Sequence, residues 1–273
     1  KDGKLILVDG GMAASYRKHV APSLNDLIQV DKAIDLVCVS HIDRDHISGI
    51  LEMIDSLVDW RVYDYKKEQK KKQKGLKVKK PKSLHPPEIA SIWHNAFHEQ
   101  IGDNSGRIED MLAAFSSLLS ASTIPEYRVN ADLLTSTKEA IQLSRRINAK
   151  QLNIPLNEHF GGKLVCLRKG QPKKNIGSFT LQIIGPSEKN LQELRDEWNK
   201  WLEKNEEQLK KIRAEAEFDE KRLVTNLEQL LEPLVIQADK LGQRSKVTTP
   251  NLASIVFLLE ESGKKVLMTG DSH

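Results

Sequence analysis

Apolar and polar positions along residues 4–65 predict alternating strands and helices. The run KLILVDGG (4–11) indicates a strand over residues 5–8 that ends in an aspartate and two glycines, and AIDLVCVS (33–40) indicates a buried strand. Apolar residues at helical spacing predict helices over residues 23–32 and 47–60, and RVYDY (61–65) predicts a further strand. This order is typical of α/β folds, whose sites lie beyond the carboxyl ends of the strands.

The pattern changes in the rest of the chain. Helical spacing predicts helices over residues 105–122 and 136–152, and a long charged helical arm over residues 188–232. Three β-like segments accompany these helices: GKLVCLRKG (162–170), GSFTLQIIGPSE (177–188) and a carboxy-terminal hairpin (251–273) whose second strand ends in Asp271.

Composition narrows the class of protein. The chain has 273 residues, of which 39% are hydrophobic and 29% charged, and this balance is typical of one large or two small globular domains. No apolar window is long enough to span a membrane, and the amino terminus lacks a signal-peptide pattern. Cys38 and Cys166 lie inside apolar runs, which predicts buried free thiols, and we expect a cytoplasmic protein.

One segment carries much of the positive charge. Residues 66–82 contain ten lysines and one glutamate, a formal charge of +9, so the other residues together carry −5 of the overall +4. We expect a mobile basic loop there, because so few apolar side chains cannot offset the entropy of ordering. Lysines of this loop could contact a phosphate backbone, or the loop could simply be solvated. The candidate nucleic-acid contacts are Lys70, Lys71, Lys72 and Lys74.

The densest chemistry follows the second strand, in SHIDRDHISG (40–49). His41, Asp43, Asp45 and His46 fall within six positions, and converging carboxylates repel one another unless a cation lies between them. Imidazole nitrogens and carboxylate oxygens suit Zn²⁺, Mn²⁺ or Fe²⁺. The cluster therefore predicts a metal site at the end of a core strand.

These residues resemble the metallo-β-lactamase-fold hydrolases, whose hallmark is H-x-H-x-D-H at the end of a core strand. Here the motif reads His41-Ile42-Asp43-Arg44-Asp45-His46, with Asp43 in place of the second histidine. The family's aspartate before a glycine turn matches Asp9, and its later metal-bridging aspartate matches Asp271. The resemblance implies an αββα sandwich, in one domain over residues 1–273, with the helical segment inserted.

The resemblance also implies roles for these residues. His41 and Asp43 would hold the first of two divalent metal ions, Asp45 and His46 the second, and Asp271 would bridge them. Asp45 would also accept a proton from the attacking water. Asp9 would orient the ligands from outside the coordination sphere. A carboxylate at position 43 makes the first ligand set harder, which favours Mn²⁺ over a purely Zn²⁺ enzyme.

The carboxy-terminal segment most resembles one branch of the family, the nuclease-like domain of the competence DNA-uptake channel protein. Asn251 and Ser254 precede a strand, a turn and a closing Thr-Gly-Asp, as in that branch. The branch's following His-His-Gly-Ser motif is absent, because the sequence stops at His273. We therefore expect either a chain that is incomplete at both ends or a metal site that a second polypeptide completes.

The third ligand of the first metal is left open by the motif. His94 and His98 are four residues apart and would share a face if their segment were helical. His159 near a predicted turn is the other candidate. Each of the three histidines also fits an ordinary structural role.

Three functions fit the sequence. The first is a metal-dependent phosphodiesterase, or nuclease, acting on DNA or RNA with water activated by two metal ions. The second is a small-molecule hydrolase of a lactone, thioester or cyclic nucleotide. The third is an effector whose site is completed by a partner. Stand-alone relatives of the competence-type domain with inserted helices look like toxic effectors, for example in antiviral (phage) defence.

Overall fold

The computed structural model describes residues 3–27, 32–72, 78–95, 139–193 without 141, 195–196, 200 and 253–272. The helix predicted over residues 105–122 and most of the arm over residues 188–232 lie outside these ranges. His98, Asn251 and His273 also lie outside them.

Three parallel strands form the first sheet: β1 (Ile6–Val8), β2 (Leu36–Val39) and β3 (Ile92–His94), in the order β1-β2-β3. The central strand β2 is fully buried, as its unbroken apolar run predicts for a parallel sheet covered on both faces. β3 was missed, because the sequence around His94 suggested a helical face. His94 is instead a buried strand residue in register with Val39.

Helical elements follow the first two strands of this sheet. A short α1 (Ala13–Ser15), one π-helical turn (Tyr16–Val20) and α2 (Ala21–Leu27) follow β1, and the long α3 (Arg44–Lys72) follows β2. The strand predicted at residues 61–65 is wrong, because α3 continues through it. No glycine or proline interrupts residues 50–74, so nothing ends the helix despite the β-propensity of valine and tyrosine.

Part of the basic segment is therefore helical. Residues 66–72, which we expected to begin a mobile loop, are the last turns of α3. A helix that is already nucleated extends at little cost, and lysine, glutamate and glutamine are good helix formers. Residues 73–77 lie outside the described ranges.

Four antiparallel strands form the second sheet, in the order β4-β5-β6-β7. They are β4 (Lys174–Ile176), β5 (Phe179–Gly185), β6 (Val256–Glu261) and β7 (Lys264–Met268). The predicted carboxy-terminal hairpin is confirmed. Its two-residue turn, Ser262-Gly263, has positive φ at both positions (50° and 77°), as a type I′ turn requires.

The β-like segment at residues 162–170 is not a strand. It has a single bridge, between Leu167 and Ser187. Val165 pairs with the side chain of Asn95 instead of a neighbouring strand: Asn95 donates to the Val165 carbonyl (2.9 Å) and accepts from its amide (2.7 Å). Both bonds fix this segment to the end of β3.

The hydrophobic core fills the space between the two sheets. Leu36, Cys38 and Trp93 of the first sheet pack against apolar side chains of β5 and β6, including Leu181 and Phe257. Cys38 and Cys166 are buried free thiols, as predicted. Because the three strands of the first sheet are parallel, the residues that follow them meet at one edge, and this edge carries the candidate site.

Candidate metal centre

Two glycines let the start of α3 lie directly against the turn that follows β1. The Gly10 amide donates to the His46 carbonyl (2.9 Å), and the Gly49 amide donates to the Gly11 carbonyl (2.8 Å). A Cβ atom on Gly49 would lie 2.0 Å from the Gly10 oxygen, and one on Gly10 would lie 2.3 Å from the Ile50 nitrogen. Only glycine fits either position, and the contact places Asp9 beside the first turn of α3.

Asp9 connects the three segments that meet at this edge. Its Oδ1 accepts a bond from the Ser40 amide (2.7 Å), and its Oδ2 accepts bonds from the Ser40 hydroxyl (2.8 Å) and from Nδ1 of His46 (2.9 Å). Burial raises the pKa of Asp9, but the bonds from His46 and Ser40 outweigh burial and lower it below the ordinary value. These contacts are those that the predicted orienting role of Asp9 requires, and the role itself stays a prediction.

The hydrogen bonds assign the tautomers of both histidines in the motif. The single hydroxyl proton of Ser40 goes to Asp9, so Nδ1 of His41, 3.0 Å from that hydroxyl oxygen, must donate to it. Nδ1 of His46 donates to Asp9 in the same way. Each neutral ring therefore presents the lone pair of Nε2. In the described part of the chain, the buried Nε2 of His41 has no hydrogen-bond partner.

The second sheet brings Asp271 to the same place. The Ile255 amide donates to the Ser40 carbonyl (2.7 Å), which fastens the start of β6 to the end of β2. Gly270, at positive φ (53°), lies against Ser40 and Ser254, and a Cβ there would be 2.9 Å from the Ser40 hydroxyl. Asp271 then lies with its Oδ1 3.4 Å from Nε2 of His46. His41, His46 and Asp271 each offer one donor atom, and these three atoms all lie within 4.8 Å of one another.

Two more carboxylates border this cluster. Asp43 Oδ2 lies 3.5 Å from Nε2 of His41, and Asp45 Oδ1 lies 3.8 Å from Nε2 of His46. Asp43 thus lies beside His41, and Asp45 beside His46. The assignment of individual ligands to individual ions stays a prediction.

The electrostatics favour a cation. Burial lowers the pKa of His46, but its hydrogen bond to Asp9 and the charges of Asp9, Asp45 and Asp271 outweigh burial and raise it. The negative charge that favours a proton on His46 favours a divalent ion in the same way. Imidazole nitrogens and carboxylate oxygens are ordinary ligands of Zn²⁺ and Mn²⁺. Donor atoms of a tetrahedral zinc site lie about 3.3 Å apart, so the observed cluster needs only small side-chain adjustments. The residues fit a metal site.

Among the described residues, the group of donor atoms that could hold an ion does not include those of His94 or His159. His94 is buried at the end of β3, and His159 lies in a short 3₁₀ turn (Glu158–Phe160). Lys70 and Lys71 are near the far end of α3, where Lys71 forms an ion pair with Glu68 (2.6 Å). The side chain of Lys72 and the whole of Lys74 lie outside the described residues.

Ser40 is a residue of the candidate site that the sequence analysis missed. It is buried and contacts Asp9, His41 and the backbone of Ile255, so it links both sheets to both histidines. The available signal was its position, since it is the small polar residue between an apolar strand and the first histidine of the motif.

Residues 1–106 match the family model of the metallo-beta-lactamase superfamily. The matched part contains Asp9 and the whole motif from His41 to His46, and Asp271 joins them through the tertiary fold. The fold class predicted from the sequence, an α/β sandwich of the metallo-β-lactamase type, is confirmed. The match implies metal-dependent hydrolase chemistry at this site. Neither the curated proteins nor the solved structures gave a significant match.

No helix within the described ranges combines the length and the hydrophobicity that a membrane span requires.

Proposed function

We propose that the protein is a metal-dependent phosphodiesterase that cleaves nucleic acid. The observation that carries the proposal is the pair of oriented imidazoles. His41 and His46 each donate through Nδ1 and present Nε2 to a place that Asp271 also reaches. The resemblance of residues 251–271 to the nuclease-like branch supports a phosphodiester substrate.

The chain's own residues would share the work of such a reaction. Metal ions, when bound, would activate water and stabilise negative charge on the phosphoryl oxygen. The residues that would hold the ions are His41, Asp43, Asp45, His46 and Asp271. The carboxylate of Asp45 is the most exposed of the acidic groups, at 65%, so it has room to accept the proton of the attacking water.

A nuclease assay tests the proposal. Fluorescent single-stranded and double-stranded substrates are incubated with the protein and either Mn²⁺ or Zn²⁺. Cleavage is expected for the parent, and Asp45→Ala and His46→Ala should each reduce it by about 100-fold or more. Asp64→Ala is the matched control, because Asp64 is an exposed carboxylate on the same helix. Parent protein that cuts neither substrate with either metal would refute the nuclease activity.

Asp43 should determine the metal preference. Its carboxylate lies 3.5 Å from Nε2 of His41, where the family places a second imidazole. A carboxylate adds negative charge and favours a harder ion, so we propose that Mn²⁺ supports higher activity than Zn²⁺. Metal analysis of protein purified without added metal, and of Asp43→His, tests this. Two tightly held zinc ions in the parent would contradict it.

The length of α3 determines how the lysines could act. Lys71 lies 27 residues after Arg44 in one helix, so about 40 Å separate the lysine-rich end from the site. Lysines there cannot touch the scissile phosphate. If the duplex runs along α3, they contact a phosphate about 12 base pairs away.

A length series tests this longer contact. Duplexes shorter and longer than about 12 base pairs are compared for binding at several salt concentrations. Binding should strengthen beyond that length, and Lys70→Gln/Lys71→Gln should remove the gain and reduce the salt dependence. Binding that is independent of length would leave the lysines as a solvated surface. It would also favour the rival function, a small-molecule hydrolase whose substrate lies entirely at the metal centre.

A further inference from the structure

A loop after β3 extends the polar edge of the first sheet. Leu156 bridges Ile92 in parallel, and the Asn157 amide donates to the Ile92 carbonyl (2.8 Å). Residues 154–157 therefore run beside β3 in the same direction. The residues that follow them, 158–163, lie at the edge that carries Asp9 and His41, because parallel chains end at the same side.

Asn157 fixes this loop to the sheet. It is fully buried at positive φ (50°), and its side chain accepts a bond from the His94 amide and donates one to the His94 carbonyl, both 2.9 Å. Its own carbonyl accepts bonds from the amides of Phe160 (2.8 Å) and Gly162 (3.0 Å). The loop is thus held at both ends, and the position of His159 between them is defined.

The ring of His159 is oriented by Trp93. The indole Nε1 of Trp93 donates to Nδ1 of His159 (3.1 Å), and Trp93 is fully buried on the sheet. Because an indole nitrogen can only donate, Nδ1 of His159 is unprotonated, and its neutral ring carries the proton on Nε2. Burial lowers the pKa of His159, and the charge of Lys174 lowers it further against the opposing effect of Glu158. The ring stays neutral at neutral pH.

This tautomer is opposite to that of the two motif histidines. His41 and His46 present a lone pair at Nε2, whereas His159 presents an N–H donor. Among the described residues, the donor atoms that lie within 4.8 Å of one another are those of His41, His46 and Asp271, without His159. His159 is therefore not the third metal ligand in this arrangement.

We propose that His159 and Lys174 form an anion subsite beside the metal centre, where Nε2–H of His159 donates to a phosphate oxygen of the substrate. This rests on the proposed phosphodiesterase function. Lys174 lies over the Phe160 ring, 5.1 Å from its centroid, and supplies positive charge to the same place. The subsite would bind the phosphate next to the scissile one, and His159 would be a substrate-binding residue.

Two affinities test the assignment, and neither requires turnover. The first is the affinity for Mn²⁺ and Zn²⁺ by titration calorimetry, which should stay within about twofold in His159→Ala, because the side chain is not a ligand. A tenfold loss would make His159 a ligand and overturn the proposal. The second is the affinity of metal-loaded protein for a 5′-phosphorylated deoxydinucleotide, which should fall by about tenfold.

The control variants separate a binding role from a structural one. His159→Gln retains a side-chain N–H and should recover part of the dinucleotide affinity. His85→Ala, in a loop packed on Trp60 near the far half of α3, should leave both affinities unchanged. The thermal midpoint of each variant shows whether it is folded. Equal dinucleotide affinity in the parent and His159→Ala, or no binding to the parent at millimolar concentration, would overturn the subsite.

The two proposals fail differently. Metal-dependent dinucleotide binding that weakens in His159→Ala, without cleavage of any phosphodiester, would keep the subsite and refute the phosphodiesterase. Cleavage by the parent with kcat and KM unchanged in His159→Ala would keep the phosphodiesterase and refute the subsite. If both proposals hold, the substitution His159→Ala should raise KM more than it lowers kcat.

Discussion

The two halves of α3 share one helix but are stabilised differently. Residues 44–57 carry His46 of the candidate metal site, and their apolar side chains are buried, with α1, the π-helical turn and β2 as the neighbouring elements. Most of residues 61–71 are exposed, and their described contacts include Arg61 to the Leu152 carbonyl (3.0 Å) and Lys67 over the ring of Tyr63 (5.9 Å). The first half is held by tertiary packing, the second mainly by helix propensity.

This difference explains which part of α3 could be predicted. Packing imposes a periodic apolar stripe that can be read from the sequence, whereas propensity imposes none. A substitution in the first half should therefore act on the whole fold and the metal site. One in the second half should act on the surface alone.

The largest effect is expected for Gly49→Ala. The new methyl group would lie 2.0 Å from the Gly10 oxygen, so the turn and the helix must separate. We expect a loss of about 3 kcal/mol in the free energy of unfolding, measured by urea denaturation. Ser56→Ala, at a buried position of the same helix that already carries a Cβ atom, is the control and should change it little. Equal midpoints for the two variants would show that the close contact is not essential.

The second prediction concerns Asp9→Asn. An amide tolerates the positive φ of this position (56°) but cannot accept all three hydrogen bonds that the carboxylate accepts. Metal affinity should fall by about 10- to 100-fold, measured by calorimetric titration. Asp35→Asn is the matched control, because the Asp35 carboxylate binds the Leu5 amide (2.9 Å) at the opposite end of the same strands. A comparable loss in both variants would point to general destabilisation of the sheet.

Local pattern predicted β1, β2, β5, the carboxy-terminal hairpin and the first half of α3, because an apolar run or stripe reflects burial directly. It failed at residues 61–65, where Val62, Tyr63 and Tyr65 favour a strand but no second strand lies beside them. It also failed at β3, because the spacing of His94 and His98 suggested a helical face, and at β4, where no strand was predicted.

The residues of the candidate site also differ in how far the sequence alone reveals them. The motif from His41 to His46 is local and was visible as a dense cluster. Asp9 and Asp271 were found only through resemblance, since each is a single aspartate at a strand end. Ser40 and the Trp93–His159 bond were not predicted, because a hydrogen bond between distant segments leaves no pattern in the sequence.

The pH dependence of metal binding gives the third prediction. Because the pKa of His46 is raised above its ordinary value, the metal-free protein keeps the His46 proton to a higher pH than a free imidazole does, and an ion must displace that proton. Affinity should therefore fall by about tenfold per pH unit below this pKa and level off above it. Asp9→Asn removes the main cause of the raised value and should shift the curve to lower pH. An affinity without pH dependence between pH 6 and 8 would contradict the assigned Nε2 contact.

The ion pair between His46 and Asp9 should also affect the stability of the metal-free protein. A raised histidine pKa stabilises the fold below the unfolded value of 6.5, and this contribution is lost as pH rises through the folded pKa. The lowered pKa of Asp9 stabilises the fold above the unfolded value of 3.8, and this contribution is lost as pH falls through the folded pKa. Both contributions are fully present between these two unfolded values.

The smallest effect is expected in the second half of α3. Replacing Lys66, Lys67, Lys70 and Lys71 with glutamine keeps helix propensity and removes four exposed charges. The free energy of unfolding should change by less than about 0.5 kcal/mol, whereas the single change Ile50→Ala, in the buried first half, should cost about 2–5 kcal/mol. Urea denaturation of both variants measures this contrast. A large loss in the glutamine variant would mean that the lysines pack against residues outside the described ranges, and that both halves of α3 depend on tertiary contacts.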